Sequence, residues 1–169
     1  MSKKLVAIWA EDENRLIGSN QKIPWHLPKE LQHFKKTTMG EAILMGRVTF
    51  DGMKRRLLPG RETLILTRDQ SFQVLGTQVF HSIDEVLTWY HQQDKTLFIT
   101  GGSHVYAAFK DVYDELIVTK IHACFEGDTY FPSDINLDDY QKVSEVFYDK
   151  DDGNPYAFTV LHYIRKVRE

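Results

Sequence analysis

Five short apolar runs, LVAIWA at 5–10, AILM at 42–45, TLILT at 63–67, TLFIT at 96–100 and LIVTKI at 116–121, alternate with stretches of helical pattern at 28–37, about 47–54, about 82–92 and about 103–110. Strands that alternate with helices restrict a chain to an α/β sheet with parallel crossovers. The end differs: YQKVSEVFYD and YAFTVLHYIR both alternate apolar with polar, and the turn-rich DKDDGNP joins them. That pattern predicts an antiparallel hairpin closing one sheet edge. The expected architecture is a single mixed, mostly parallel central sheet with helices on both faces and a C-terminal antiparallel hairpin.

A chain of 169 residues suits one domain, expected to span 1–169, with a full hydrophobic core. No apolar run approaches the roughly 20 residues needed to span a membrane. The opening MSKKLVAIWAEDE has too brief an apolar run for a signal peptide and reads as the first strand. A net charge of −3 argues against a dedicated nucleic-acid binder. Cys124 is the sole cysteine, so no intrachain disulfide can form and a cytoplasmic home is expected; the residue itself is expected to be small, buried and inert.

Within LPKELQHFKKTT at 27–38, Leu27, Leu31 and Phe34 form an apolar helical stripe, and Pro28 suits the first turn. Glu30 falls inside that stripe, whereas Lys29, Gln32, His33, Lys35 and Lys36 fall on the polar side. A carboxylate aimed at a core is costly unless it is paired, hydrogen-bonded or kept for a ligand. From this segment alone a structural partner is the simpler account.

Two strand-to-helix junctions suit phosphate: Gly101-Gly102 opening into Ser103, and Gly46 leading to Arg47, Val48 and Thr49. A helix start offers free backbone donors, and glycine permits close approach. Each junction alone is a weak signal, and neither a dinucleotide fingerprint nor a Walker motif is present. Arg47 and Arg68 follow strand ends, where ligands gather in open α/β sheets. KRRLLPGRE at 54–62 is either a solvated loop or an anion site built on an arginine. The seven histidines show no metal-ligand spacing, and no nucleophile motif occurs. Any chemistry therefore rests on the lone acid and a cofactor.

The long segment RLIGSNQKIPWHLP at 15–28 joins the first strand to the helix of Glu30. Its wording resembles the dihydrofolate reductase family of bacterial chromosomal type. So do ILMGRVTF at 43–50, LPGRETLILTR at 58–68, the glycine pair followed by VYAAF, and VTKIHACFEGDTYFP at 118–132. These matches stand in family order over nearly the whole chain. The resemblance implies hydride transfer from NADPH to dihydrofolate, giving tetrahydrofolate for one-carbon metabolism. It also implies binding of antifolate inhibitors, and a monomer is expected.

By the same resemblance, Glu30 would bind the 2-amino group and ring nitrogen of the pterin and support protonation of its nitrogen 5. Thr119 would hydrogen-bond the acid, and Trp25 would hold a nearby water. Val6, Ala7, Leu31, Phe34, Met53 and Leu58 would line the pterin and benzoyl groups, and Arg61 would grip the glutamate carboxylate. Ile8, Ile17, Gly18 and Ile23 would stand on the cofactor and lid side, the lid covering about 14–24. Arg47, Val48, Thr49, Thr67 and Arg68 would wall the adenosine half. Thr100, Gly101, Gly102, Ser103, His104, Val105 and Tyr106 would flank the pyrophosphate and nicotinamide, with a cis bond inside the glycine pair.

The chain departs from the family pattern in several places. Glu30 replaces the aspartate of many bacterial members, and Ile23 a methionine. Thr100 replaces an aliphatic residue between pterin and nicotinamide, which bears on antifolate fit. Ser103 replaces a third glycine and is harmless at a helix start. A related pteridine or riboflavin-pathway reductase needs neither Arg61 nor Glu30 in this context. A nucleotide-binding module without turnover leaves the cost of Glu30 unexplained, and a purely structural domain explains neither junction.

Overall fold

The computed structural model describes residues 3–20 and 22–167. Its strands are β1 (Leu5–Glu11), β2 (Leu16–Gly18), β3 (Ala42–Gly46), β4 (Glu62–Leu66), β5 (Thr77–Phe80), β6 (Leu97–Ile99), β7 (Glu115–Ile121), β8 (Thr129–Tyr130), β9 (Tyr140–Tyr148) and β10 (Phe158–Arg165). Its helices are α1 (Pro28–Thr38), α2 (Arg47–Gly52), α3 (Ile83–His91) and α4 (Ser103–Ala108), with a 3-10 turn at Leu137–Asp139. Eight strands form one sheet in the order β5-β4-β3-β6-β1-β7-β10-β9. The pairs from β5 across to β7 are parallel, and β7-β10 and β10-β9 are antiparallel. The expected C-terminal hairpin is present, with a bulge between His162 and Tyr163.

The period of the strands sorts side chains between two cores. Leu5, Ala7 and Trp9 of β1 pack with Val86 and Tyr90 of α3 and Tyr106 of α4. Val6 and Ile8, pointing the other way, pack with Phe50 of α2, and Phe34 of α1 lies against them. Helices therefore cover both faces. Ser82 caps α3 by accepting from the Glu85 amide at 3.1 Å. Helix α2 stops at Gly52, short of the expected 54, because Lys54 and Arg55 turn to φ 58° and 54°.

Three strands were not legible as apolar runs. β5 is a short edge strand of the central sheet, and β2 and β8 form a separate two-stranded ribbon beside it. Strand β9 also departs from its alternating pattern: only Tyr140 is buried, since β9 is the outer edge. Cys124 is exposed rather than buried, beside Glu13 at 3.3 Å. Among the described residues no helix is long and apolar enough to cross a membrane.

Candidate active site

The carboxyl ends of β1, β3, β4, β6 and β7 lie on one side of the sheet, the side on which open α/β sheets bind ligands. Helix α1 faces this region and carries Glu30 in its first turn. The apolar stripe read from sequence is only partly covered: Leu27 is buried, Phe34 half-buried, and Leu31 50% exposed. An apolar helical face left uncovered beside an acid suits the wall of a ligand cleft.

Glu30 keeps some surface open to that cleft, yet the protein crowded around it pushes its pKa up to about 7. Burial is the sole cause; no hydrogen bond or neighbouring cation offsets it. The hydrogen bond expected from Thr119 is therefore not formed. Thr119 is buried on β7, opposite Ala10 and Val160. Trp25 is buried and packs its ring against Phe125 at 5.3 Å. His33, assigned from sequence to the polar side, is half-buried; its Nε2 has no partner, and burial lowers its pKa.

At the far end of α1, Arg61 is held in place by neutral acceptors. Its Nη2 donates to the Pro59 carbonyl at 2.9 Å and its Nη1 to the Thr38 hydroxyl at 3.4 Å. No carboxylate among the described residues pairs with it. Met53 and Leu58 are half-buried and pack on the same core cluster as Phe34.

On the other side, the Gly46 amide donates to the Gly101 carbonyl at 3.0 Å, which joins the ends of β3 and β6. The Gly101–Gly102 bond is cis, and Gly101 has φ 131°. A Cβ on Gly46 would lie 3.0 Å from Val105, and one on Gly102 3.3 Å from Thr49 Oγ1. Val105 and Thr49 thus pack closely on Gly46 and Gly102, while Gly101 is set apart by its positive φ, a conformation that favours glycine. The Thr100 hydroxyl turns back to the Leu44 carbonyl at 3.2 Å, so the added polar atom is satisfied within the sheet. Ser103 caps nothing; its hydroxyl donates to the Tyr130 carbonyl of β8 at 2.9 Å.

The two arginines expected at the adenosine wall differ. Arg47 Nη1 donates to Asp69 at 2.8 Å, its Nε lies 3.6 Å from Asp51, and its guanidinium stacks over Phe72 at 4.7 Å. Its charge is already matched. Arg68 is exposed and pairs with no acid among the described residues. Val48 and Ile23 are 62% and 57% exposed, and His104 is exposed, as residues at an open cleft edge are. Ile17, Gly18, Thr49, Thr67 and Val105 are half-buried around the same edge.

Sequence reasoning missed three features. The buried Tyr106 hydroxyl donates to the Ile8 carbonyl at 2.8 Å. His81 Nδ1 lies 2.9 Å from the Thr67 carbonyl, beside Arg68. Asp12, fully buried, accepts three amides from two loops. None left a distinct signal: Asp12 is the middle of three consecutive acids, Glu11 to Glu13, after the first apolar run.

An open α/β sheet with a glycine turn, an arginine without an acid partner at either end and one unpartnered acid suits a site for a small anionic substrate and a nucleotide. The family described as Dihydrofolate reductase matches residues 4–165. The dihydrofolate reductase of Lactococcus lactis subsp. lactis is 52% identical over 167 residues, 98% of this chain and 99% of the relative. That of Staphylococcus aureus is 38% identical, over 93% of this chain and 95% of the relative. A solved dihydrofolate reductase from Enterococcus faecalis, complexed with NADP(H) and RAB-propyl, superposes with a TM-score of 0.93 at 40% identity, covering 97% of both chains. The chain belongs to the dihydrofolate reductase family.

Proposed function

We propose that this chain reduces 7,8-dihydrofolate to tetrahydrofolate with NADPH, through one domain spanning 1–169 that acts as a monomer in the cytoplasm. The observation that carries the site assignment is Glu30: an acid with no protein partner, in an apolar cleft, with its pKa pushed to about 7. Such a group is costly to the free protein and useful only when a ligand supplies the donors.

The residues present fit the cofactor. The Gly101-Gly102 turn admits a pyrophosphate against bare backbone, Arg68 offers an unmatched cation for a 2′-phosphate, and Ile17, Gly18 and Ile23 form the lid side. When bound, NADPH supplies the hydride. The chain supplies orientation and electrostatics. Glu30 accepts from the 2-amino group and ring nitrogen of the pterin, whose donors favour its charged form, and it supports delivery of a proton to nitrogen 5. Trp25 holds the water beside it, and Thr119, which makes no hydrogen bond to the acid in the free protein, is the hydroxyl assigned to it in the complex. Val6, Ala7, Leu31, Phe34, Met53 and Leu58 exclude water around the pterin and benzoyl rings, and Arg61 takes the glutamate carboxylate in a two-pronged contact. Holding both rings at attack distance removes roughly 7–11 kcal/mol of barrier in favourable systems. Antifolates that mimic the pterin occupy the same cleft.

The test mixes purified protein, NADPH and dihydrofolate and follows loss of NADPH absorbance. Turnover that needs both substrates supports the reading; binding of NADPH without turnover turns it into a nucleotide-binding module.

A further inference from the structure

Asp12 is a fully buried carboxylate that hydride transfer does not use. It follows β1 directly. The amides of Asn14 and Leu16 donate to its Oδ1 at 2.8 and 2.9 Å, and the Phe125 amide donates to its Oδ2 at 2.9 Å. Its own amide donates to the Leu16 carbonyl at 3.0 Å, and the Arg15 amide donates to its carbonyl at 3.1 Å. Arg15 closes this turn at φ 65°. One carboxylate thus joins two loops far apart in sequence: the turn that opens the lid and the loop that follows β7. A buried carboxylate on a free loop would be expensive, and three amide donors offset that cost only while both loops stay together.

What the turn carries gives the joint its use. Leu16, fully buried, begins β2, and Ile17 and Gly18 follow on the cofactor side. β2 pairs with β8, Leu16 opposite Tyr130. The other side of the ribbon is tied to the glycine-pair turn, because Ser103 donates to the Tyr130 carbonyl at 2.9 Å. The ribbon therefore hangs between two fixed points, Asp12 at the end of β1 and Ser103 at the cofactor cradle.

We propose that Asp12 is a positioning residue for cofactor binding: by locking Phe125 and Leu16 to the end of β1, it sets where the lid ribbon stands over the glycine-pair turn. This rests on the reading of that turn as the NADPH site. Asp12 acts through Leu16 and Phe125 and touches no reacting atom.

The test is Asp12→Asn. The asparagine Oδ1 still accepts from Asn14 and Leu16, but its side-chain nitrogen meets the Phe125 amide donor to donor, so the carboxylate's link to the second loop is broken while the bond from the Glu13 amide to the Ala123 carbonyl, 3.1 Å, still joins the two loops. The dissociation constant for NADPH, read by quenching of tryptophan fluorescence, should rise about tenfold, the range of one buried hydrogen bond. The KM for dihydrofolate at saturating NADPH should stay within about twofold of wild type on the same grounds. Amide exchange at Phe125 should accelerate while Leu16 remains protected. A merely structural role would lower the thermal midpoint and leave the NADPH constant unmoved, and that result overturns the proposal. A second measurement needs no variant: NADPH added to the wild-type chain should slow exchange at Leu16 and Phe125 together, and unchanged exchange at both also overturns it. If the wild-type chain binds no NADPH, the site reading fails and the proposal falls with it. NADPH binding with an unshifted constant in Asp12→Asn rejects the proposal alone.

Discussion

The Tyr106 hydroxyl donates to the Ile8 carbonyl at 2.8 Å, and this bond fastens α4, which follows the glycine pair, to the central strand β1. Burial, and after it the nearby Glu30 charge, raise the pKa of the phenol, so it remains a donor at every working pH. The ring also packs against Trp9 and Phe131 at 6.1 and 5.2 Å. Tyr106→Phe keeps those contacts and removes only the donor. It should cost about 1–3 kcal/mol, the usual loss when a buried acceptor is left unpaired. Denaturant unfolding of the NADPH-free chain measures it; an unchanged midpoint would mean that water replaces the hydroxyl.

Arg68 should carry the preference for NADPH over NADH. Sequence alone made Arg47 an equal candidate, but Asp69 and Asp51 already hold its charge, whereas Arg68 has no acid partner among the described residues. Arg68→Ala should raise the KM for NADPH about tenfold or more, as expected for a charge-assisted hydrogen bond, with the KM for NADH nearly unchanged. Equal losses with both cofactors reject the assignment.

Arg61→Lys should weaken dihydrofolate far more than NADPH. The Pro59 carbonyl and the Thr38 hydroxyl hold the guanidinium in a set plane, and a lysine point charge cannot reproduce a planar two-pronged contact. A pterin substrate lacking the glutamate tail is the control. If that substrate suffers as much as dihydrofolate, Arg61 is structural.

The sheet was readable because its central strands, buried on both faces, appear as unbroken apolar runs such as LVAIWA and AILM. β2 and β8 were not readable: Leu16–Gly18 and Thr129–Tyr130 are too short for a periodic signal, and they pair only because the loops around Asp12 and Asp128 bring them together. Glu30 was legible as an acid out of place on a helical stripe. The difference between Arg47 and Arg68 was not, because the partners that neutralise Arg47 lie on other turns and become neighbours only in the fold. The Ser103 contact escaped for the same reason: local rules describe a serine at a helix start as a cap, and a tertiary carbonyl claimed it instead.

Glu30→Gln should fold and bind NADPH yet lose a factor on the order of 100 to 10,000 in dihydrofolate turnover at neutral pH, the range for removing a proton-transfer group. The free protein offers a separate check. Burial raises the folded pKa of Glu30 from its ordinary 4.5 to about 7, so between those values the folded chain binds more protons than the unfolded one. Stability tied to Glu30 is then fully present below about pH 4.5 and is lost as pH rises through about 7. The variant lacks that slope, and its stability relative to wild type should climb across the same window by on the order of 1–3 kcal/mol, less where solvent reaches the carboxyl. Bound pterin reverses the balance by donating to the charged acid, so wild-type turnover should fall with rising pH through an ionisation belonging to the enzyme and substrate together. Without the acid, the proton must come from solvent or from dihydrofolate already protonated. The residual rate of the variant should therefore keep rising on acidification, below the pH at which wild type levels off. Near-wild-type turnover at neutral pH, or a stability difference that stays flat from pH 4.5 to 7, would return Glu30 to a structural role.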